Sequence, residues 1–120
     1  MTPFRDILRR AVEATPGAIG GAFADAEGEM VDWFATYDPH EWAVLTAHYG
    51  VVLAQLHAAF GIFHFGAPEY FMVQHQKMGI VVHMVEGGYF ALMAVSDPTR
   101  VTSAITTLSA SVRELAKEMS

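Results

Sequence analysis

Six histidines are the residues in this sequence best equipped for chemistry: His40, His48, His57, His64, His75 and His83. Imidazoles hold zinc when they recur as His-x3-His on a helix, or when they face each other on neighbouring strands. Neither arrangement occurs. At 100° per residue, His48 and His57 fall on opposite sides of any helix that carries both. His75 and His83 share strand parity, but a turn at Lys77-Met78 sets Met72, not His75, opposite His83. The chain has no cysteine, and no acidic residue joins these histidines in a ligand set. Neither a metal nor any other cofactor is expected.

Enzyme chemistry has less support still. Asp25, Glu27 and Glu29 are close enough in sequence to suggest an acid–base pair. They flank Asp25-Ala26-Glu27-Gly28, however, a short turn whose glycine supplies positive φ and where solvated acids belong. The serines, Ser96, Ser103, Ser109, Ser111 and Ser120, lie in the last quarter of the chain, away from any evident base. Gly17-Ala18-Ile19-Gly20-Gly21 has the glycines of a phosphate loop, yet no Lys-Ser/Thr follows and no helix begins there. Arginine can serve a GTPase in trans, but Arg5, Arg9, Arg10, Arg100 and Arg113 all fall on outer helices. No catalytic residue is expected, and the chain reads as a non-enzyme.

Composition narrows the class further. The 120 residues suit one domain spanning 1–120. The chain is 52% apolar and only 17% charged, so it can build a core. Lacking cysteine, it can form no disulfide framework, which suits a reducing cytoplasm. Seven Lys and Arg against thirteen Asp and Glu give a formal charge of −6, and the only cationic cluster is Arg5, Arg9 and Arg10. Nucleic acid is not the expected partner. The segment Met1–Arg10 is broken by charges, unlike a signal peptide. The stretch 49–67 is about long enough to span a bilayer, but Gln55, His57, His64 and several glycines favour a buried helix and a loop. No membrane insertion is expected.

Thr2-Pro3 is a helix start, a hydroxyl cap before a proline whose missing N–H costs nothing. Phe4, Ile7, Leu8, Ala11 and Val12 then form one apolar stripe, and Thr15-Pro16-Gly17 ends the helix near residue 14. Two strands follow, Ala18–Asp25 and Glu29–Thr36. Asp38-Pro39 opens a long helix that runs to about Phe60, closed by Gly61. Three strands come next, Glu69–Gln76, Gly79–Glu86 and Tyr89–Ser96, and Asp97-Pro98 opens the last helix. Every strand-to-strand link is short, so the sheet is expected to be antiparallel, with helices on both faces. The class is α/β (α+β), in the order helix-strand-strand-helix-strand-strand-strand-helix. Tyr89–Ser96 is apolar on both parities, as a central strand is. Glu69–Gln76 ends in polar residues, as an edge does.

The middle helix carries more apolar surface than one sheet can cover. Trp42, Leu45, Tyr49, Val52, Leu53, Leu56 and Phe60 make one bulky face. Ala43, Ala47, Gly50, Ala54 and Ala58 make a second stripe of small residues, with Val44 and Val51 beside it. Only Glu41, His48 and Gln55 are polar between them. A surface helix normally has one apolar face, so the second is expected to meet a partner.

This order of elements resembles the Roadblock family, named for dynein light chains, from Phe4 to about Met119. The likeness rests on the opening amphipathic helix, the hairpin Ala22–Val31, the apolar helix 39–60, the meander Tyr70–Ser96 and the helix after Asp97-Pro98. It implies a Roadblock-like or profilin-like fold. It implies a homodimer, or a heterodimer with a related Roadblock subunit, in which the middle helices pair and the first strand of the meander abuts its mate. The interface would then comprise Ala43, Val44, Ala47, Gly50, Val51, Ala54 and Ala58 with Tyr70, Met72 and Gln74. The resemblance also implies binding to a small Ras-like GTPase or to motor and polarity complexes, as a regulator. The aromatic loop Phe63-His64-Phe65 is a candidate docking ridge. The alternative function is a small-molecule-sensing domain with a pocket lined by Trp33, Phe34, Phe63 and Phe65.

Overall fold

The helix starts are set by one device, used three times in the computed structural model, which describes residues 2–120. The Thr2 hydroxyl accepts the Arg5 N–H at 3.1 Å to begin α1 (Pro3–Ala14). Asp38 accepts the Glu41 N–H at 3.1 Å to begin α2 (Pro39–Phe60). Asp97 accepts both the N–H and the hydroxyl of Thr99, at 3.0 and 2.7 Å. Those bonds hold its carboxyl below the usual carboxylate range. They also tighten the start of the last helix, so that one 3-10 turn, Pro98–Arg100, precedes α3 (Val101–Met119). Met1, the first residue of the expected domain, lies outside the described residues.

Five strands make one antiparallel sheet: β1 (Ala18–Ala24), β2 (Met30–Ala35), β3 (Tyr70–Gln74), β4 (Gly79–Met84) and β5 (Phe90–Val95). Their spatial order is β2-β1-β5-β4-β3. The expected antiparallel sheet, its central strand and its edge strand are all present. β5 is buried along its whole length, and β3 alternates between exposed and half-buried. The strands are slightly shorter than the sequence suggested because their ends are consumed by turns. Asp25 Oδ1, for instance, accepts the N–H groups of Glu27 and Glu29 at 2.9 and 3.0 Å.

One turn differs from expectation. The β3–β4 link is Gln76-Lys77, not Lys77-Met78, since the His75 N–H donates to the Met78 carbonyl at 2.8 Å. Tyr70, not Met72, therefore stands opposite His83, with the two rings stacked 5.7 Å apart. Moving the turn by one residue shifts the pairing by two, so each side chain keeps its face.

Helices cover both faces. α1 and α3 pack on one side, against Phe23, Val81, Met93 and Val95. α2 packs on the other, against Ala22, Ile80, Val82, Phe90 and Leu92. Its sheet-facing stripe is narrower than expected. Trp42, Thr46, Tyr49 and Leu53 are buried and Leu45 and Leu56 half-buried, but Val52 and Phe60 are exposed. A helix of 22 residues is about 33 Å long, whereas the longest strand here has seven residues, about 24 Å. The helix therefore overruns the sheet, and Phe60 lies past its end. Thr46 occupies a core position because its hydroxyl donates to the Trp42 carbonyl one turn back, at 2.8 Å.

Candidate interaction surface

The surroundings of α2 fix which flank points where. Trp42 Nε1 donates to the Gly21 carbonyl at 3.2 Å, anchoring the helix over β1. Tyr49 stacks on Phe71 at 6.1 Å, and its hydroxyl bonds to His75 Nε2, so the Tyr49 flank faces β3. Burial raises the Tyr49 hydroxyl above its ordinary pKa. The helical rotation puts Leu45, Val52 and Leu56 on this flank. Val44 and Val51 point away from the sheet, and Val51 is 58% exposed.

The small-residue stripe occupies the opposite flank and has a neighbour within the chain. A Cβ at Gly50 would lie 3.0 Å from the Gly28 Cα and 3.3 Å from the Phe90 ring, while the Gly28 backbone also approaches Ala47. Gly50 and Ala54 line a small cleft with Ala26 and Gly88. So Gly50 is half-buried against the chain's own β1–β2 turn, and its smallness serves that approach. Ala43 is half-buried as well, whereas Ala47, Ala54 and Ala58 remain exposed. Val44, Val51 and Val52, with Phe60 at the C-terminal end, are the large apolar side chains that α2 exposes.

The two sheet edges differ. At the β2 edge, Arg5 Nη1 donates to the Trp33 carbonyl at 2.7 Å, and the Trp33 N–H donates to Asp32 Oδ1 at 2.9 Å. Thr2 donates to the same Asp32 carboxylate, and the Arg5 guanidinium lies 5.5 Å from the Phe34 ring centre. Val31 has no partner across β1, because Met30 pairs with Ala24 and Asp32 with Phe23. Bulges and covered backbone groups of this kind blunt an edge. At the β3 edge nothing comparable occurs among the described residues. The bonds His75 N–H to Met78 and Met84 N–H to Glu69 set the phase of the β3–β4 ladder. Residues 69, 71, 73 and 75 bond inward to β4, and Tyr70, Met72 and Gln74 direct their N–H and carbonyl groups outward. All three side chains are exposed.

Beyond α2 comes the aromatic loop. Ile62 is 82% exposed and Phe65 74%, with Phe63 and Phe65 stacked 5.2 Å apart and Phe60 6.4 Å from Phe63. His64 meets Phe65 edge-on. An exposed apolar ridge of this kind is uncommon on a monomer. The pocket suggested for Trp33, Phe34, Phe63 and Phe65 does not form. Trp33 and Phe34 are adjacent on β2 and point to opposite faces, Trp33 towards the α2 core and Phe34 towards the α1–α3 core.

The residues weighed for chemistry are dispersed. His48 Nδ1 bonds to the Val44 carbonyl, His83 Nδ1 to the Met84 carbonyl, and His75 to Tyr49. Among the described residues no three His, Asp or Glu side chains are grouped to hold a metal. Arg9 pairs with Asp6 and Glu13, Arg10 with Asp6 and Glu114, and Arg100 with Asp97. The Asp6–Arg9 bond lowers the Asp6 carboxyl below its ordinary pKa. α2 has the length and composition of a membrane span, but its Trp42–Leu53 stripe is laid on the sheet as in a core helix.

No family model matches the sequence, and no curated protein sequence matches it. Solved structures do match the fold. Myxococcus xanthus MglB aligns at TM-score 0.86 with 11% identity, over 99% of this chain and 96% of that one. The gliding protein MglB of Thermus thermophilus aligns at 0.83 with 15% identity, over 96% and 87%. A Roadblock/LC7 domain from Streptomyces avermitilis aligns at 0.81 with 11% identity, over 94% of each chain. The structural neighbours are thus Roadblock/LC7 domain proteins, and the α-β-β-α-β-β-β-α order is the Roadblock/LC7 fold.

Proposed function

We propose that this chain is a non-catalytic, cytoplasmic protein-interaction module that works as a dimer, with itself or with a related Roadblock subunit. Two copies would meet through the outward face of α2 and the β3 edge. The pair would present a surface to a small Ras-like GTPase in a polarity or motility complex. One observation carries the dimer: Val44 and Val51 on the outward face of α2 and Val52 on its β3 flank make one apolar surface, next to a strand edge whose outward backbone groups have no partner among the described residues. Burying that apolar area and satisfying that edge are served by a single second subunit. The GTPase and the motility setting rest on the Roadblock resemblance, and the gliding-protein neighbour supports the same setting.

Light scattering on the unmodified protein at micromolar concentration tests the dimer. A mass of two chains is expected, and a monomer overturns the reading. Titration with purified Ras-like GTPases, loaded in turn with GDP and a non-hydrolysable GTP analogue, tests the partner. Saturable binding that depends on the nucleotide state is expected.

A further inference from the structure

We propose that a cleft at the β2 end of the α1–α3 face docks a bulky apolar side chain, which a second protein presents between Lys or Arg residues. The cleft lies apart from the proposed dimer surface, on the other face of the sheet. Phe4, Phe23 and Tyr89 form its floor, three rings in a row with centroids 4.9 and 5.5 Å apart. Val31 and Met119 wall it, and the exposed Glu118 completes the wall. Two features leave the floor open. The bulge in β2 gives Val31 no partner across β1 and leaves it 45% exposed. The helices reach the rings only with their ends, α1 through Phe4 in its first turn and α3 through Met119 in its last.

Size and charge select the occupant. The cleft holds about 260 Å³, less than the roughly 300–1,000 Å³ of a small-molecule site, and suits one side chain. A single anchor in a pocket is where interfaces concentrate their energy. Two turns meet at this end of the sheet, β1–β2 and β4–β5, because Ala24 pairs with Met30 on one side and Phe90 on the other. They carry Glu27, Glu29 and Glu86, all exposed, and neither contains Lys or Arg. These three and Glu118 form no ion pair among the described residues. The cations beside the cleft in sequence are engaged elsewhere. Arg5 lies over Phe34 and bonds to the Trp33 carbonyl, and Lys117 lines the neighbouring α1–α3 groove with Asp6 and Glu114. An apolar hole beside unpaired acids fits an apolar residue flanked by cations. Docking is by side chain and not by strand addition, because both outward backbone groups of Trp33 are already bonded.

A fluorescein-labelled Lys-Lys-Phe-Lys-Lys peptide is the probe, read by polarisation and by amide chemical shifts of the isotope-labelled protein. Saturable binding is expected, weakening with salt and shifting the amides of Val31, Tyr89, Glu118 and Met119. Alanine in place of the peptide's Phe should weaken binding about 30-fold, the loss of a hot-spot side chain. Glu in place of every Lys should abolish it. In the protein, Val31→Lys should abolish binding and Glu118→Gln should weaken it, each with an unchanged melting temperature. Should Val31→Lys lower that temperature, Glu118→Gln and the shift map decide. Absence of saturation, equal binding of the alanine peptide, or shifts centred on α2 or β3 would each overturn the proposal. Movement of the same amides when the protein alone is concentrated would make a second copy the occupant, and would overturn it too.

Discussion

Gly50 shows how one residue can look like an interface while doing work inside the chain. A sequence stripe of small residues signals close approach of something, and here that something is the Gly28 turn. Gly28 has φ of 85°, so its own position requires glycine. Replacing Gly50 with alanine brings two opposed effects. Helix propensity improves by about 1 kcal/mol, while the new methyl must fit 3.0 Å from the Gly28 backbone. Overpacking against backbone that cannot rotate away costs about 1–3 kcal/mol. Gly50→Ala is therefore expected to lower thermal stability by a net of about 1 kcal/mol while leaving the proposed dimerisation unchanged. A raised melting temperature would mean that the approach is loose. Residues 28 and 50 are too far apart in sequence for any helical or strand periodicity to connect them, so the stripe alone could not disclose its neighbour.

At the scale of elements, caps and periodicity carried most of the information. Thr2-Pro3 and Asp38-Pro39 place the first two helices because both the hydrogen bond and the proline geometry are local. The central and edge strands were legible from burial parity. The β3–β4 turn was not, because Gln76-Lys77 contains no glycine, asparagine or aspartate to mark it. The candidate surface was legible in part: Val44 and Val51 were singled out, while Val52 was assigned to the sheet. Only the way α2 is turned on the sheet, with Trp42, Tyr49 and Leu53 inward, shows that Val52 on its flank is left uncovered. Val51→Asp tests this element. With Val51 more than half exposed, the monomer should keep its stability within about 0.5 kcal/mol. A charge in the helix pair, however, should cost about 3 kcal/mol or more, a dimer dissociation constant raised at least about 100-fold. Analytical ultracentrifugation against the parent measures it, and an unchanged constant would remove α2 from the interface.

The whole molecule is acidic, with its arginines held on the α1–α3 side, and that bears on how it would act on a GTPase. Arg5, Arg9, Arg10 and Arg100 are already bonded within the chain, to the Trp33 carbonyl or to carboxylates. A scaffold that positions its partner's own loops needs none of them. Alanine at each of the five arginines in turn should leave any stimulated GTP hydrolysis within a few-fold. Loss of a true arginine finger would cost roughly a thousand-fold or more. The β2 edge has a different consequence at this scale. With Arg5 and Asp32 occupying the backbone of Trp33, an added strand finds that position of the β2 edge already bonded. If two copies pair through β3, growth from the outer β2 edges is then disfavoured, and raising the concentration is expected to fill more pairs without lengthening them into a fibre.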